Sequence, residues 1–195
     1  MDRDFELALV DRLRAGEAAA FDEVYAAFNA RLFGFLARLS RRRDVAEDLL
    51  EETWLRLVTS AGRLRTDTRL GPWLFTVARN LHVSYCRSRA LEESIDGSLI
   101  GLWPFGVARP SPFEETAATE AERRIERALA ALPTAYREAL LLVGVEGLRP
   151  FEAAAVCGVT PEAMRQRLSR ARALVAKQLD ETDSPAAAWL AEVVS

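Results

Sequence analysis

The sequence predicts an all-α protein made of two small helical domains joined by a flexible linker, the C-terminal domain being a helix-turn-helix. Three observations carry this. Apolar residues recur at helical spacing through residues 5–89 and again through 125–179. The first block has none of the β-branched alternation that marks strands. Between the blocks, Gly97, Gly101, Pro104, Gly106, Pro110 and Pro112 interrupt any regular element.

Taken in order, Phe5, Leu9 and Leu13 form the apolar edge of a first helix that stops at Gly16. A long stripe follows: Phe21, Val24, Tyr25, Phe28, Leu32, Phe35, Leu36 and Leu39. The charged turn Arg41-Arg42-Arg43-Asp44 leads into a third helix over about 44–59, and a fourth covers about 70–89. Residues 62–71 form the loop between them, and the first domain is assigned to 1–90. Residues 91–122 read as an acidic linker. Its apolar stretch at 99–105, with Trp103 and Phe105, either packs on a neighbouring domain or threads along a partner. The second domain, 123–179, opens with Ile125, Leu129 and Leu132 ending at Pro133, and a second helix runs from 136 to 143. Pro150 opens a short helix that turns at Gly158-Val159. Thr160-Pro161, a helix cap followed by proline at the first helical position, starts a long one. In the tail, 180–195, Ser184-Pro185 repeats the device, and Trp189 and Val193 share one edge.

Composition excludes several classes. No apolar run approaches the roughly 20 residues of a membrane span, and the acidic N-terminus does not read as a signal peptide. A soluble cytoplasmic protein without membrane insertion is expected. Its two cysteines, Cys86 and Cys157, should then be reduced thiols. The chain's net charge of −3 conceals a pattern: residues 1–90 carry +2, 91–123 carry −5, 124–179 carry +4 and 180–195 carry −4. Mildly basic blocks suit a modest nucleic-acid footprint rather than tight nonspecific coating. No enzyme site, small-molecule substrate, cofactor or metal is expected. There is no glycine-rich phosphate loop or Cys-x-x-Cys pair, and the only histidine, His82, falls beside both helix faces and reads as solvated.

Three faces could carry function. On the 160–179 helix, Met164, Leu168, Ala171, Val175 and Leu179 fall in one apolar stripe. Arg165, Gln166 and Ser169 lie opposite, with Arg172 flanking. This pattern fits a recognition helix entering a major groove, the alternative being a surface helix with solvated arginines. On the fourth helix, Leu74, Val77, Leu81 and Tyr85 form the core side, and Trp73, Thr76, Asn80, Ser84 and Arg87 the other. An indole beside Asn and Arg suits stacking on an unpaired base, although Trp73 taken alone fits a core position against a neighbouring helix slightly better. On the third helix, Asp48, Glu51, Glu52 and Leu55 cluster opposite Ala46, Leu50, Thr53 and Leu57. That is a docking face for a basic protein, or a solvated acidic face with one stray leucine.

With these residues in hand, the chain resembles the extracytoplasmic-function sigma factors of bacterial RNA polymerase over about 15–179. Residues Asp44-Val45-Ala46-Glu47-Asp48-Leu49-Leu50-Glu51-Glu52-Thr53-Trp54 look like the family's polymerase-binding helix. Trp73-Leu74, Ala78-Arg79-Asn80 and Arg87 resemble the segment that melts and reads the −10 element. Ala131-Leu132-Pro133, residues 137–142 and Glu146-Gly147-Leu148 resemble the opening of the −35-reading domain, and Arg165 to Arg172 its recognition helix.

The resemblance implies that Asp48, Glu51, Glu52 and Leu55 hold core RNA polymerase. Trp73, Thr76, Asn80 and Arg87 would capture the −10 element, and Arg165, Gln166, Ser169, Arg170 and Arg172 would read or grip −35 promoter DNA. It further implies an anti-sigma factor as partner. The chain departs from the family pattern at Glu51, Ser84, Arg149-Pro150-Phe151 and Glu162-Ala163; with Arg149 in place, the first helix of the helix-turn-helix is expected to lack its cap. Two rival readings are a sigma-like decoy that binds an anti-sigma factor without touching a promoter, and an ordinary helix-turn-helix repressor.

Overall fold

A computed structural model describes residues 3–95, 113 and 119–180, and these are all helical or connecting turns. The N-terminal unit comprises α1 (Arg3–Arg14), α2 (Ala18–Ser40), α3 (Arg43–Ser60), a 3₁₀ turn (Ala61–Arg63) and α4 (Leu70–Ile95). The C-terminal unit comprises α5 (Glu120–Ala131), α6 (Thr134–Leu140) continuing into a π turn (Leu141–Val145), α7 (Pro150–Cys157) and α8 (Pro161–Asp180). The linker's apolar stretch 99–105 and the tail's Trp189 and Val193 lie outside the described residues.

Helices α2, α3 and α4 pack around Phe28, Leu32, Phe35, Leu36, Leu57, Leu74 and Phe75. Phe35 and Phe75 meet edge to face, 5.3 Å between centroids, tying α2 to α4. The stripe read from α2 is buried except at its N-terminal end, where Tyr25 is exposed and stacks with Phe21 on Trp54 of α3. Trp54 donates its indole N–H to Asn29, 3.0 Å away.

Two expectations are corrected here. Phe5 is 50% exposed, whereas its neighbour Glu6 is buried. The reason is a helix terminus: the Glu6 carboxylate accepts the backbone N–H of Leu70 at 2.8 Å, satisfying an orphan donor at the start of α4, and pairs with Arg3. On α4, Leu70, Gly71, Leu74, Phe75, Ala78 and His82 are buried, and Val77, Leu81 and Tyr85 are only half-buried. The core stripe is therefore rotated from the expected one, because α4 is covered by α7 as well as by its own unit.

In the C-terminal unit, α5 starts with a capping box. Thr119 accepts from the Glu122 amide, and the Glu122 carboxylate accepts from the Thr119 amide. It ends on Arg137, whose guanidinium donates to the carbonyls of Leu129, Ala130 and Leu132 at 2.7–3.0 Å. Gly147 (φ +67°) and Gly158 (φ +65°) make the left-handed turns before and after α7. The start of α7, expected to lack a cap, has half of one. Arg149 has no acceptor to offer, but its amide donates to the Glu152 carboxylate at 2.9 Å, and Pro150 removes another orphan donor. Thr160 caps α8 as expected, accepting the Ala163 amide at 3.1 Å.

The two units close on each other. Helix α7, with Ala153, Ala154, Val156 and Cys157 buried, lies on α4, and α6 touches α2. His82, expected to be solvated, is sealed into this seam. Its Nδ1 is buried with no hydrogen-bond partner among the described residues, and its Nε2 sits 3.6 Å from Cys86 Sγ. Desolvation, with Arg137 and Arg79 nearby, pushes its pKa down to about 4. The native state therefore holds neutral imidazole, while an unfolded chain takes up a proton below about pH 6.5. The stabilisation from excluding that proton is complete above pH 6.5 and is lost as pH falls towards 4.

The wild-type protein should accordingly lose denaturant stability between pH 7 and pH 5 more steeply than His82→Gln. Burial raises the pKa of Glu146, which acts in the opposite sense but is common to both proteins. Equal slopes for the two proteins would show that His82 is not the titrating group.

Candidate nucleic-acid interface and docking face

On α3 the candidate docking residues lie on the expected side. Asp48, Glu51 and Leu55 are exposed, Glu52 is half-exposed, and Ala46, Thr53 and Leu57 are buried opposite them. Two features escaped the sequence reading. Val58, 57% exposed, follows Leu55, 55% exposed, by three residues, so the face presents two adjacent apolar side chains rather than one. Arg56 reaches Glu52 at 2.7 Å, so the leucine is framed by acids and one paired arginine. Extending the spacing of exposed positions by one turn would have found Val58.

On α4, Asn80, Ser84 and Arg87 face solvent. Trp73 is half-buried, packed against the core and still partly accessible. Thr76 is also half-buried, its hydroxyl donating back to the Pro72 carbonyl at 2.7 Å. The open part of this face thus begins at Asn80.

On α8, the five apolar residues of the stripe are all buried, and Arg165, Gln166, Ser169 and Arg170 are exposed. Arg172 is the exception. It is half-buried, and its Nε has no hydrogen-bond partner among the described residues. Arg165 is held by Glu162 at 2.5 Å, and this pairing holds the Glu162 carboxyl below its usual pKa range. Glu162, one of the departures from the family pattern, therefore parks the leading arginine of the helix.

Neither thiol forms a disulfide, and burial pushes the Cys157 thiol up to about 12, far from a reactive thiolate. No helix among the described residues is long and apolar enough to cross a membrane.

Comparison with known proteins shows the family. Residues 24–92 match the family model for Sigma-70 region 2, and residues 122–175 match that for Sigma-70, region 4. The ECF RNA polymerase sigma factor EcfG of Rhodopseudomonas palustris is 36% identical over 85% of this chain and 84% of its own. The RNA polymerase sigma factor CarQ of Myxococcus xanthus is 34% identical over 83% and 90%. Among solved structures, the sigma factor RpoE of Bartonella quintana, crystallised with the anti-sigma factor NepR, superposes with a TM-score of 0.68. It is 27% identical, covering 84% of this chain and 98% of that one. Helices α2–α4 supply region 2 and α5–α8 supply region 4, and this chain belongs to the extracytoplasmic-function sigma factors.

Proposed function

We propose that this chain directs transcription initiation by bridging core RNA polymerase to promoters, working in the cytoplasm and under the control of an anti-sigma factor. Residues 1–90 serve polymerase and the −10 element, 123–179 serve the −35 element, and 91–122 connect them. Asp48, Glu51, Glu52 and Leu55, with Val58, dock polymerase. Trp73, Thr76, Asn80 and Arg87 receive the melted −10 strand. Arg165, Gln166, Ser169, Arg170 and Arg172 serve the −35 duplex, with Arg165 reading a base once it leaves Glu162 and Arg170 gripping phosphate. The chain brings geometry and charge, and the sigma factors are a family of transcription regulators rather than enzymes.

The observation that carries this reading is the two-sided character of α4. One side is buried core, and the other sets Asn80, Ser84 and Arg87 in solvent beside a partly open Trp73. A decoy has no use for such a side. With only +2 of net charge, residues 1–90 hold duplex weakly through phosphates, whereas an indole stacks on an unpaired base and Asn80 reaches an edge that pairing would occupy. With core polymerase present, the full chain should therefore prefer single-stranded non-template −10 DNA over the same duplex. Trp73→Ala should remove most of that preference, about tenfold in affinity, and Asn80→Ala should blunt its sequence dependence. Fluorescence anisotropy reads both effects, and equal affinity for single strand and duplex would favour the decoy.

A further inference from the structure

The first turn of α8 carries a single acid, Glu162, and it stands on the side proposed to meet DNA. At about 100° per residue, Glu162 falls between Arg165 and Gln166 and nearly in line with Ser169. All four are exposed, opposite the buried stripe of Met164, Leu168, Ala171, Val175 and Leu179.

The carboxylate takes both Nε and Nη2 of Arg165 on its Oε2, at 3.2 and 2.5 Å, and Gln166 donates to it as well. These contacts hold the carboxyl below its usual range, so it is anionic at neutral pH. Two of the side chains proposed for the −35 duplex are thus tied to one acid, and that acid is a departure from the family pattern.

An exposed pair three residues apart is held only weakly against water. Arg165 can therefore exchange Glu162 for the O6 and N7 of a guanine. The exchange strands a carboxylate in a groove walled by phosphates, where it needs a donor from a base edge. The major groove offers two, cytosine N4 and adenine N6. Adenine sets its own N7 acceptor beside the amino group, which repels a group that can only accept. Cytosine carries no acceptor of its own there. Three residues of helix advance roughly 4.5 Å against about 3.4 Å per base pair, so Glu162 and Arg165 meet neighbouring pairs.

We infer that Glu162 is a specificity-determining residue of the −35 contact: it releases Arg165 to a guanine only where the neighbouring base pair offers cytosine N4, and it repels the helix from other sequences. This rests on the promoter-bridging reading above and names the base that the acid selects.

The test uses the full chain with core polymerase, as wild type, Glu162→Ala, Glu162→Gln and Arg165→Ala. Each selects from duplex promoters randomised across the −35 and −10 windows, and affinities are then measured for the enriched duplexes and their single-base variants. Wild type should enrich a cytosine next to a guanine at −35, with about tenfold preference for that cytosine. Glu162→Ala should bring this preference below about threefold, chiefly by binding sites that lack the cytosine more tightly. Glu162→Gln should move the preference to adenine, whose N6 and N7 match an amide. Arg165→Ala should lose the guanine and keep the cytosine. Circular dichroism and the −10 preference should be the same in all four. A change in helix stability alone cannot exchange one preferred base for another.

Base frequencies at −35 that both Glu162 variants leave as in wild type would overturn the inference, as would a wild-type site without the cytosine. If Glu162→Ala relaxes only the guanine that Arg165→Ala relaxes, the acid merely supports the arginine, and the inference is again overturned. A wild-type chain that enriches sequence at −10 and none at −35 has the same consequence. Failure of the promoter-bridging reading looks different. Polymerase carrying any of the four chains then enriches no sequence in either window, and the inference falls with it.

Discussion

Leu55→Glu should weaken binding to core RNA polymerase by about 2 kcal/mol, roughly thirtyfold, without unfolding the protein. The side chain is 55% exposed on α3, and its neighbour Val58 is 57% exposed, so neither fills the core. Two adjacent apolar groups rimmed by Asp48, Glu51 and Glu52 have the make-up of an interface anchor: a desolvated centre with a charged edge. A carboxylate at the centre must be buried against the partner without a cation of its own, which adds desolvation cost to lost contact area. Val58→Glu should act in the same direction, and the pair should be less than additive because they share one contact. Binding of the variants to purified core enzyme, with thermal unfolding as the control, is the measurement. Wild-type affinity for Leu55→Glu would remove this face from the mechanism.

A larger loss, about 3 kcal/mol of folding stability, is expected from Arg137→Met. This guanidinium is buried, with its pKa pushed down to about 10 chiefly by desolvation, so it remains charged at neutral pH. It is kept there by three carbonyls at the end of α5, with a fourth, that of Arg38, at 3.4 Å. Methionine fills the same volume but leaves those acceptors without donors, and each orphaned buried acceptor costs about 1–3 kcal/mol. Lysine should recover less than half of the loss, since a point charge cannot fork to carbonyls spread over three residues. Denaturant titration of the three proteins settles the order. A Met variant as stable as wild type would mean that water satisfies the end of α5.

How much of this was legible beforehand differs by element. The buried stripe of α8 follows from residue spacing alone, because a helix covered on one side by its own unit obeys a single period, and Met164 to Leu179 fall on it without exception. The same holds for Asp48, Glu51 and Leu55, which no described element covers. Thr160 with Pro161 announced the start of α8 through purely local chemistry.

The misreadings occurred where a second body intervenes. Helix α4 is covered from two directions, so its core face widens to take in His82 and leaves Val77 and Tyr85 half-buried. Phe5 and Glu6 exchange their expected places because a backbone amide 64 residues away needs an acceptor. The sequence by itself determined the helices, the turns and the three polar faces, since each depends on neighbours within a few residues. Only the tertiary structure decided which acids are buried, what His82 faces, and that four arginines of one unit meet four glutamates of the other. The four pairs, Arg31–Glu146, Arg38–Glu126, Arg69–Glu152 and Arg79–Glu138, join residues 59 to 115 positions apart, and no local period in the chain encodes such partners.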